Sequence, residues 1–127
     1  MLFSKKKIKR VVVAGCRDYN NYEEASEYID YCLADIVNDY EIIILSGRAR
    51  GADRLGEMYA REKGYKVEYY PADWDKYGKS AGPRRNEQMA KACDMVICFW
   101  DGKSRGTKSM ISYANKYNRN LKIKEIH

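Results

Sequence analysis

The sequence predicts an α/β domain of three layers, in which four helices cover the two faces of a five-stranded parallel sheet. Three continuous apolar runs, at residues 11–14, 42–45 and 95–100, are typical of strands that are buried on both faces. Two further runs, at 66–69 and 121–124, alternate apolar and charged residues, as strands at the edge of a sheet do. Because a helical pattern separates each strand from the next, the strands are expected to run parallel.

The four helices are predicted from apolar residues at three- and four-residue spacing and from the residues at their ends. Asn21 and Glu24 form a capping pair before the first helix, and Gly64 closes the second. Pro83 occupies the first turn of the third helix, and Thr107 is the predicted cap of the fourth. No internal repeat, low-complexity segment or linker interrupts this pattern, so residues 1–127 are expected to form one domain.

The two kinds of strand also predict the strand order. With the charged-face strands at the edges and the three apolar strands inside, the order is 3-2-1-4-5. Such a sheet reverses its winding direction between the first and fourth strands, and ligands bind beyond the carboxyl ends of the strands at that switch point. Function is therefore expected in the loops that follow residues 14, 45 and 100.

Composition and charge exclude several classes of protein. The 127 residues carry a net charge of +6 and contain no apolar run near the ~18 residues of a membrane-spanning helix, so no membrane association is expected. The basic cluster at residues 5–10 precedes only a short apolar run, unlike the pattern of a signal peptide. Residues 1–7 are interpreted as a solvated basic tail rather than as a nucleic-acid patch.

The cysteine and histidine content argues against a metal site. Cys16, Cys32, Cys93 and Cys98 show no CxxC spacing, and His127 is the only histidine. This excludes a zinc finger and a catalytic histidine in the chain interior. The simplest interpretation is a cytoplasmic protein whose reduced cysteines act as small buried apolar groups, with no certain cofactor.

The loop after the first predicted strand begins with Gly15, Cys16, Arg17 and Asp18. Gly15 allows the backbone to approach a ligand closely, but it equally suits an ordinary tight turn. Arg17 either clamps a phosphate or pairs with Asp18, and the sequence does not choose between these roles.

The second loop is more informative about a ligand. Two glycines four residues apart, a hydroxyl and two arginines lie between a buried strand and the start of a helix, where they offer backbone donors and guanidinium groups to an anion. The spacing is not that of a P-loop, because no Lys-Ser/Thr pair follows the second glycine. Asp53 either stabilises the helix dipole by about 0.5 kcal/mol or accepts ribose hydroxyls. The residues assigned to ligand binding here are Ser46, Gly47, Arg48, Arg50, Gly51 and Asp53.

The third loop repeats this composition at the predicted switch point. Glycines, hydroxyls and two cations again lie between a buried strand and a helix start. Two such loops facing one crevice predict a bound phosphate or another anion. The residues assigned to ligand binding here are Asp101, Gly102, Lys103, Ser104, Arg105, Gly106 and Thr107.

The longest connection, residues 71–86, exceeds the usual loop length and is therefore expected to be functional. Trp74 either stacks on a base or anchors the loop to the sheet. Arg84, Arg85 and Asn86 are predicted in the first turn of the third helix, where cations oppose the helix dipole. A bound anion would remove this repulsion, so the three residues indicate a ligand site.

Four ordered motifs, AGCRD, SGRARGAD, PADWDKYGKSAGPRRNEQM and FWDGKSRGT, resemble the YspA/cpYpsA-related branch of the SLOG superfamily of Rossmann-like domains. The resemblance spans residues 8–125 and implies a pocket for a nucleotide or nucleotide derivative, built from the first, second and fourth strand loops. Cys16 stands where this family usually has serine, and Arg48 where a second consecutive glycine is common. Arg48 either crowds the backbone cradle of the ligand or adds a phosphate contact.

Two relatives in the superfamily imply competing functions. Lonely Guy phosphoribohydrolases release a base from a nucleoside monophosphate, and the glutamate position of their PGGxGTxxE-like segment falls on Met110, which cannot perform acid–base chemistry. Asp101, Asp53 and Asp18 are the remaining candidate catalytic residues. The DNA-processing protein A family has a segment similar to SGRARGAD and binds single-stranded DNA.

The sequence thus predicts a sensor or binding module for a nucleotide-like small molecule. Arg17, Arg50, Arg85, Lys103 and Arg105 are assigned to phosphates. A nucleotide hydrolase and a single-stranded nucleic-acid-binding protein are the alternatives. Relatives in the superfamily also suggest a homodimer, although no apolar stripe in the sequence indicates where its interface would lie.

Overall fold

The computed structural model describes residues 6–127. Five strands alternate with helices along the chain. The strands are β1 (Lys7–Gly15), β2 (Tyr40–Ser46), β3 (Lys66–Tyr69), β4 (Met95–Trp100) and β5 (Asn120–Glu125). The long helices are α1 (Tyr22–Leu33), α2 (Ala52–Lys63), α4 (Ala81–Ala92) and α5 (Arg105–Lys116), while the connection after β3 holds the short helix α3 (Trp74–Tyr77) and a 3-10 turn (Gly78–Ser80).

The sheet is parallel throughout, with the order β3-β2-β1-β4-β5. The predicted α/β fold, strand order and four long helices are therefore confirmed. The two strands with alternating charge lie at the edges of the sheet, and every residue of these strands is exposed or partly exposed to water. The carboxyl ends of β1 and β4 are adjacent at the centre of the sheet, since Gly15 is paired with Phe99.

Each face of the sheet carries its own apolar core. Val11, Val13, Ile44 and Ile97 pack beneath α1 and α2, and the alternate residues of the same strands pack beneath α4 and α5. This burial on both faces explains why the central strands are continuously apolar. Because parallel crossover helices begin at the carboxyl ends of the strands, the starts of α2, α4 and α5 all lie at the same edge of the sheet.

The helix ends predicted at Asn21 and Gly64 are confirmed, whereas the predicted cap of the last helix is wrong. Asn21 accepts a hydrogen bond from the backbone N–H of Glu24 at 3.1 Å, and Gly64 closes α2 in the left-handed conformation with φ 76°. The cap of α5 is Ser104 rather than Thr107, whose N–H donates to the Ser104 hydroxyl at 3.4 Å. The helix begins three residues earlier than predicted because Ser104 supplies this acceptor.

The described part of the basic N-terminal segment belongs to the sheet. Most of the predicted tail, residues 1–5, lies outside the described residues. Lys7 is the first residue of β1 and is paired with Tyr40. The strand extends before its apolar run because its cations find partners: Lys9 lies over the Tyr40 ring at 4.7 Å, and Arg10 pairs with Glu68 at 3.0 Å.

The four cysteines are free and buried, as the sequence predicted. Burial raises the pKa of Cys98 to about 12 and that of Cys93 to about 11, since both thiols lose hydration. None of the helices within residues 6–127 combines the length and apolar character required to cross a bilayer.

Candidate functional site

A cleft of roughly 340 Å³ opens where the loops after β1, β2 and β4 converge. We call it the switch-point cleft, because it lies above the carboxyl ends of the two strands between which the sheet reverses direction. Its polar lining combines residues from all four motif regions of the sequence. These are Arg17, Asp53, Arg85, Asn86, Ser104 and Thr107.

Arg85 is the buried cation of this cleft, with a side chain that is only 9% exposed. Its Nη1 donates to the carbonyl oxygen of Gly47, and its Nε donates to Oδ1 of Asn86 at 3.0 Å. Loss of hydration lowers the pKa of the guanidinium from its ordinary value, and nearby Asp53 opposes this shift. These two hydrogen bonds fix Arg85 in one orientation across the base of the second loop.

Asp53, in the first turn of α2, is the buried acid of the same cleft and is 5% exposed. Its Oδ2 accepts a hydrogen bond from the backbone N–H of Ala49 at 3.2 Å. Burial raises its pKa to about 6, although the Ala49 N–H and the charge on Arg85 act in the opposite direction. The carboxyl group therefore titrates near neutrality.

Gly47 lies against both the buried acid and the buried cation. A Cβ at position 47 would lie 2.6 Å from Nη1 of Arg85 and 2.9 Å from Oδ2 of Asp53. The requirement for glycine at this position is thus one of space, because both charged groups crowd the place that a side chain would occupy.

The third loop divides into a part that lines the switch-point cleft and a part that builds the turn. Ser104, Gly106 and Thr107 line the cleft. Asp101 instead accepts hydrogen bonds from the N–H groups of Lys103 and Ser104, at 2.8 and 2.9 Å, and these bonds lower its pKa. Gly102, Lys103 and Arg105 are exposed and do not line the cleft.

The first loop is divided in the same way. Gly15 and Arg17 line the switch-point cleft. Cys16 and Asp18 contribute instead to a separate hollow beside Tyr19 and Asp101. The sequence left open whether Arg17 clamps a phosphate or pairs with Asp18. In the structure Asp18 pairs with Arg50 at 3.3 Å instead.

A second cleft of roughly 330 Å³ adjoins the first, and we call it the outer cleft. It lies beyond the carboxyl ends of β2 and β3 and shares Arg17, Ala49 and Arg85 with the switch-point cleft. Its remaining lining residues are Gly47, Arg48, Arg50, Pro71, Ala72 and Trp74.

The positions of Arg84 and Arg85 in α4 differ from the prediction. Helix α4 begins at Ala81, so Arg84, Arg85 and Asn86 are its fourth to sixth residues rather than its first turn. Arg84 lies over the Tyr77 ring at 4.3 Å and outside both clefts, whereas Arg85 lines both. The two neighbouring arginines therefore have different surroundings because adjacent helical residues point in different directions.

Sequence reasoning missed the group that holds Arg48. Nη1 of Arg48 donates to Oε1 of buried Glu57 at 2.8 Å, and the Ser46 hydroxyl donates to Oε2 of the same carboxylate at 2.5 Å. Arg48 adopts a left-handed backbone with φ 65°, and its guanidinium lies 4.9 Å from the centre of the Tyr69 ring. No sequence pattern connects Glu57 to Ser46 and Arg48, since the three residues meet only through the packing of α2 against β2.

The candidate catalytic carboxylates do not share one site. Of the three, only Asp53 lines the switch-point cleft, while Asp18 and Asp101 lie beside Tyr19. Met110 also lines the cleft and is buried. Within residues 6–127 no group of three or more His, Cys, Asp or Glu side chains is arranged to hold a metal ion.

Comparison with known proteins establishes the family. The sequence model of the YspA, cpYpsA-related SLOG family matches residues 9–77, which include the first two loops. The chain belongs to this family. A relative is the Gene 61 protein of Mycobacterium phage D29, which is 32% identical over a match covering 86% of this chain and 90% of that protein.

Two solved structures share the fold of this SLOG-family chain. DNA processing protein A from Streptococcus pneumoniae superposes with a TM-score of 0.64 at 22% identity, and the protein of that name from Helicobacter pylori with 0.64 at 21%. The matches cover 92% and 93% of this chain but only 50% and 65% of those longer chains. The Helicobacter pylori protein is described as binding single-stranded DNA in a unique mode.

Proposed function

We propose that this protein binds the phosphate of a nucleotide or nucleotide derivative in the switch-point cleft, as a sensor or binding module. The observation that carries the proposal is the buried guanidinium of Arg85. None of the ion pairs within residues 6–127 involves Arg85 or Arg17, although both line the cleft. Asp53 acts on Arg85 from beyond ion-pair distance, so the buried guanidinium keeps a positive charge that an incoming anion would stabilise further.

The remaining lining of the cleft suits the other parts of a nucleotide. The hydroxyls of Ser104 and Thr107 and the amide of Asn86 supply neutral hydrogen-bonding groups around the buried cation. The carboxyl of Asp53 is an acceptor for ribose hydroxyls when it is ionised. The starts of α2 and α5 add their dipoles at the same edge of the sheet, where negative charge is stabilised.

Calorimetric titration with AMP, followed by thermal-shift screening of other nucleotides, tests the proposal directly. Specific binding must stabilise the folded state, so the Tm is expected to rise with nucleotide concentration. Arg17→Ala is expected to weaken binding at least about tenfold, because it removes a charged hydrogen-bond donor. Arg61→Ala is the matched control, since it removes the same charge from an exposed position of α2 outside both clefts. Equal losses in the two variants, or no binding of any nucleotide, would refute the proposal.

A nucleotide hydrolase is the second candidate, favoured by the raised pKa of Asp53 within the cleft. An acid that titrates near pH 6 can hold a proton for a departing base. Incubation with nucleoside monophosphates followed by chromatography would reveal the free base. Loss of that product in Asp53→Asn, with retained binding of AMP, would assign the acid role to Asp53.

Single-stranded nucleic-acid binding is the third candidate, favoured by the fold shared with DNA processing protein A. Its distinguishing property is salt dependence, because each phosphate contact releases counterions from the strand. A gel-shift titration with short single strands at increasing salt concentration separates this function from the binding of one small nucleotide.

A further inference from the structure

The adjacency of the two clefts indicates the size of the ligand. Each cleft, at roughly 340 and 330 Å³, lies near the lower end of the ~300–1,000 Å³ typical of small-molecule sites. They adjoin along Arg17, Ala49 and Arg85, which line both and so give one composite candidate site. A ligand of two linked units would fill this site, whereas a mononucleotide would occupy one end of it.

The charge at the boundary indicates which group links the two units. Arg17 and Arg85 line both clefts, and neither takes part in an ion pair within the described part of the chain. Arg85 is held in place by Gly47 and Asn86, so its charge stays at the junction without reorganisation. A phosphate at this point would meet two cations, and the units that it joins would extend into the clefts on either side.

Trp74 supplies an aromatic surface in the outer cleft. The residue is 50% exposed, although the edge of its ring is packed on α4: a Cβ at Gly82 would lie 3.2 Å from Cη2 of Trp74. The ring is therefore anchored at one edge while half of its surface remains open. An anchored, half-open indole is suited to stacking on a nucleobase, because little side-chain freedom is lost on binding.

The arginines of the outer cleft are not equivalent. Arg48 is neutralised by buried Glu57 and lies against Tyr69, so it forms a fixed wall rather than a free cation. Arg50 is 71% exposed and pairs with Asp18, which is itself exposed. The cations that form no ion pair among the described residues, Arg17 and Arg85, consequently lie at the junction of the two clefts, and the aromatic surface lies in the outer cleft.

We propose that the ligand consists of two nucleoside units joined through phosphate, with the phosphate at Arg17 and Arg85 and one base stacked on Trp74. This inference rests on the proposed function, since it places one unit of the ligand in the switch-point cleft. The linkage is a phosphodiester or a pyrophosphate, both of which present the same anionic oxygens to the two guanidinium groups.

The test is calorimetric titration with three probes: AMP, the pyrophosphate-linked NAD and the 5′-phosphorylated dinucleotide pApA. At least one two-unit probe is expected to bind about tenfold or more tightly than AMP, as one additional stacked base allows. Trp74→Ala is expected to abolish that advantage, so that AMP and the two-unit probe bind with similar affinity, and Trp74→Phe is expected to retain most of it. Tyr77→Ala is the matched control, since it removes an aromatic ring from the same short helix outside both clefts.

The outcomes separate this inference from the function beneath it. Equal affinity for AMP and for both two-unit probes would overturn the inference and leave phosphate binding intact. Failure of all three probes to bind would overturn both. Single strands of ten nucleotides that bind far more tightly than pApA, with a steep salt dependence, would replace a two-unit ligand with a nucleic-acid strand. An unchanged far-UV circular dichroism spectrum establishes that each variant is folded.

Discussion

The stability of the protein is expected to depend on the buried carboxyl group of Asp53. Its pKa of about 6 in the folded chain exceeds the ordinary 3.8 by roughly 2 units, and burial is the main cause. Since one unit corresponds to ~1.4 kcal/mol, ionisation of Asp53 in place costs up to about 3 kcal/mol at neutral pH. Asp53→Asn removes this cost and retains an acceptor for the Ala49 N–H, although Arg85 loses a favourable charge.

The sign of the pH dependence follows from linkage. The folded state holds the Asp53 proton more tightly than the unfolded state, so its contribution to stability is fully present below about pH 4 and is lost as the pH rises through about 6. Urea unfolding of the wild type and Asp53→Asn at pH 4, 5, 6, 7 and 8 measures this directly. The unfolding free energy of the variant minus that of the wild type is expected to increase by up to about 3 kcal/mol from pH 4 to pH 7.

Asp101→Asn is the control of opposite sign. Hydrogen bonds from Ser104 and Lys103 lower the pKa of the exposed Asp101 carboxyl, so its contribution is present above its unfolded pKa and is lost as the pH falls. The difference between this variant and the wild type should therefore become more unfavourable as the pH rises. A difference for Asp53→Asn that is flat, or that falls with pH, would refute the assignment of Asp53 as a destabilising buried acid.

Three further substitutions test the loops. Arg50→Ala is expected to leave the Tm nearly unchanged in thermal melts, because the side chain is 71% exposed. In calorimetry it is expected to weaken the binding of a two-unit ligand, because Arg50 lines the outer cleft and not the switch-point cleft. A large fall in Tm with unaltered affinity would make Arg50 structural. Gly51→Ala is expected to prevent folding or to lower the unfolding free energy in urea by several kcal/mol, since φ is 80° and the new Cβ would overlap the carbonyl oxygen of Cys16. Gly102→Ala is the control, with φ 82° and open space around it, and should lower the unfolding free energy by only about 1 kcal/mol. Equal losses of stability in the two variants would contradict the steric argument. Ser104→Ala should lower the unfolding free energy by about 1 kcal/mol in the same assay, because the cap of α5 is lost. Unchanged stability would show that Ser104 is not the residue that caps α5.

The fold could be predicted from local sequence patterns, because each pattern depends only on a short segment of the chain. The apolar runs of the central strands, the alternating edge strands and the Asn21 and Gly64 caps report burial and backbone geometry that arise within a few residues. Strand order followed from them, since charged faces are stable only at the edges of the sheet. The error at Thr107 came from choosing between two nearby hydroxyls, of which Ser104 has the required position.

The sequence indicated which residue types gather at the candidate site, but not how their side chains are arranged. Glycines, arginines and hydroxyls at strand ends indicated which loops meet, because parallel strands bring their carboxyl ends to one edge. Only the tertiary structure placed Arg85 against Gly47 and turned Asp101 away from the switch-point cleft. Such contacts join residues far apart in the chain, so no local pattern encodes them.

The sequence by itself determined the layered α/β fold, the strand order and the edge of the sheet at which the basic loops gather. The tertiary structure decided which charges are compensated: Arg48 is paired with Glu57, whereas Arg85 has no ion pair among the described residues. The physical reason is that hydrophobic periodicity is set along the chain, while charge compensation depends on distances of a few ångströms between side chains brought together by packing.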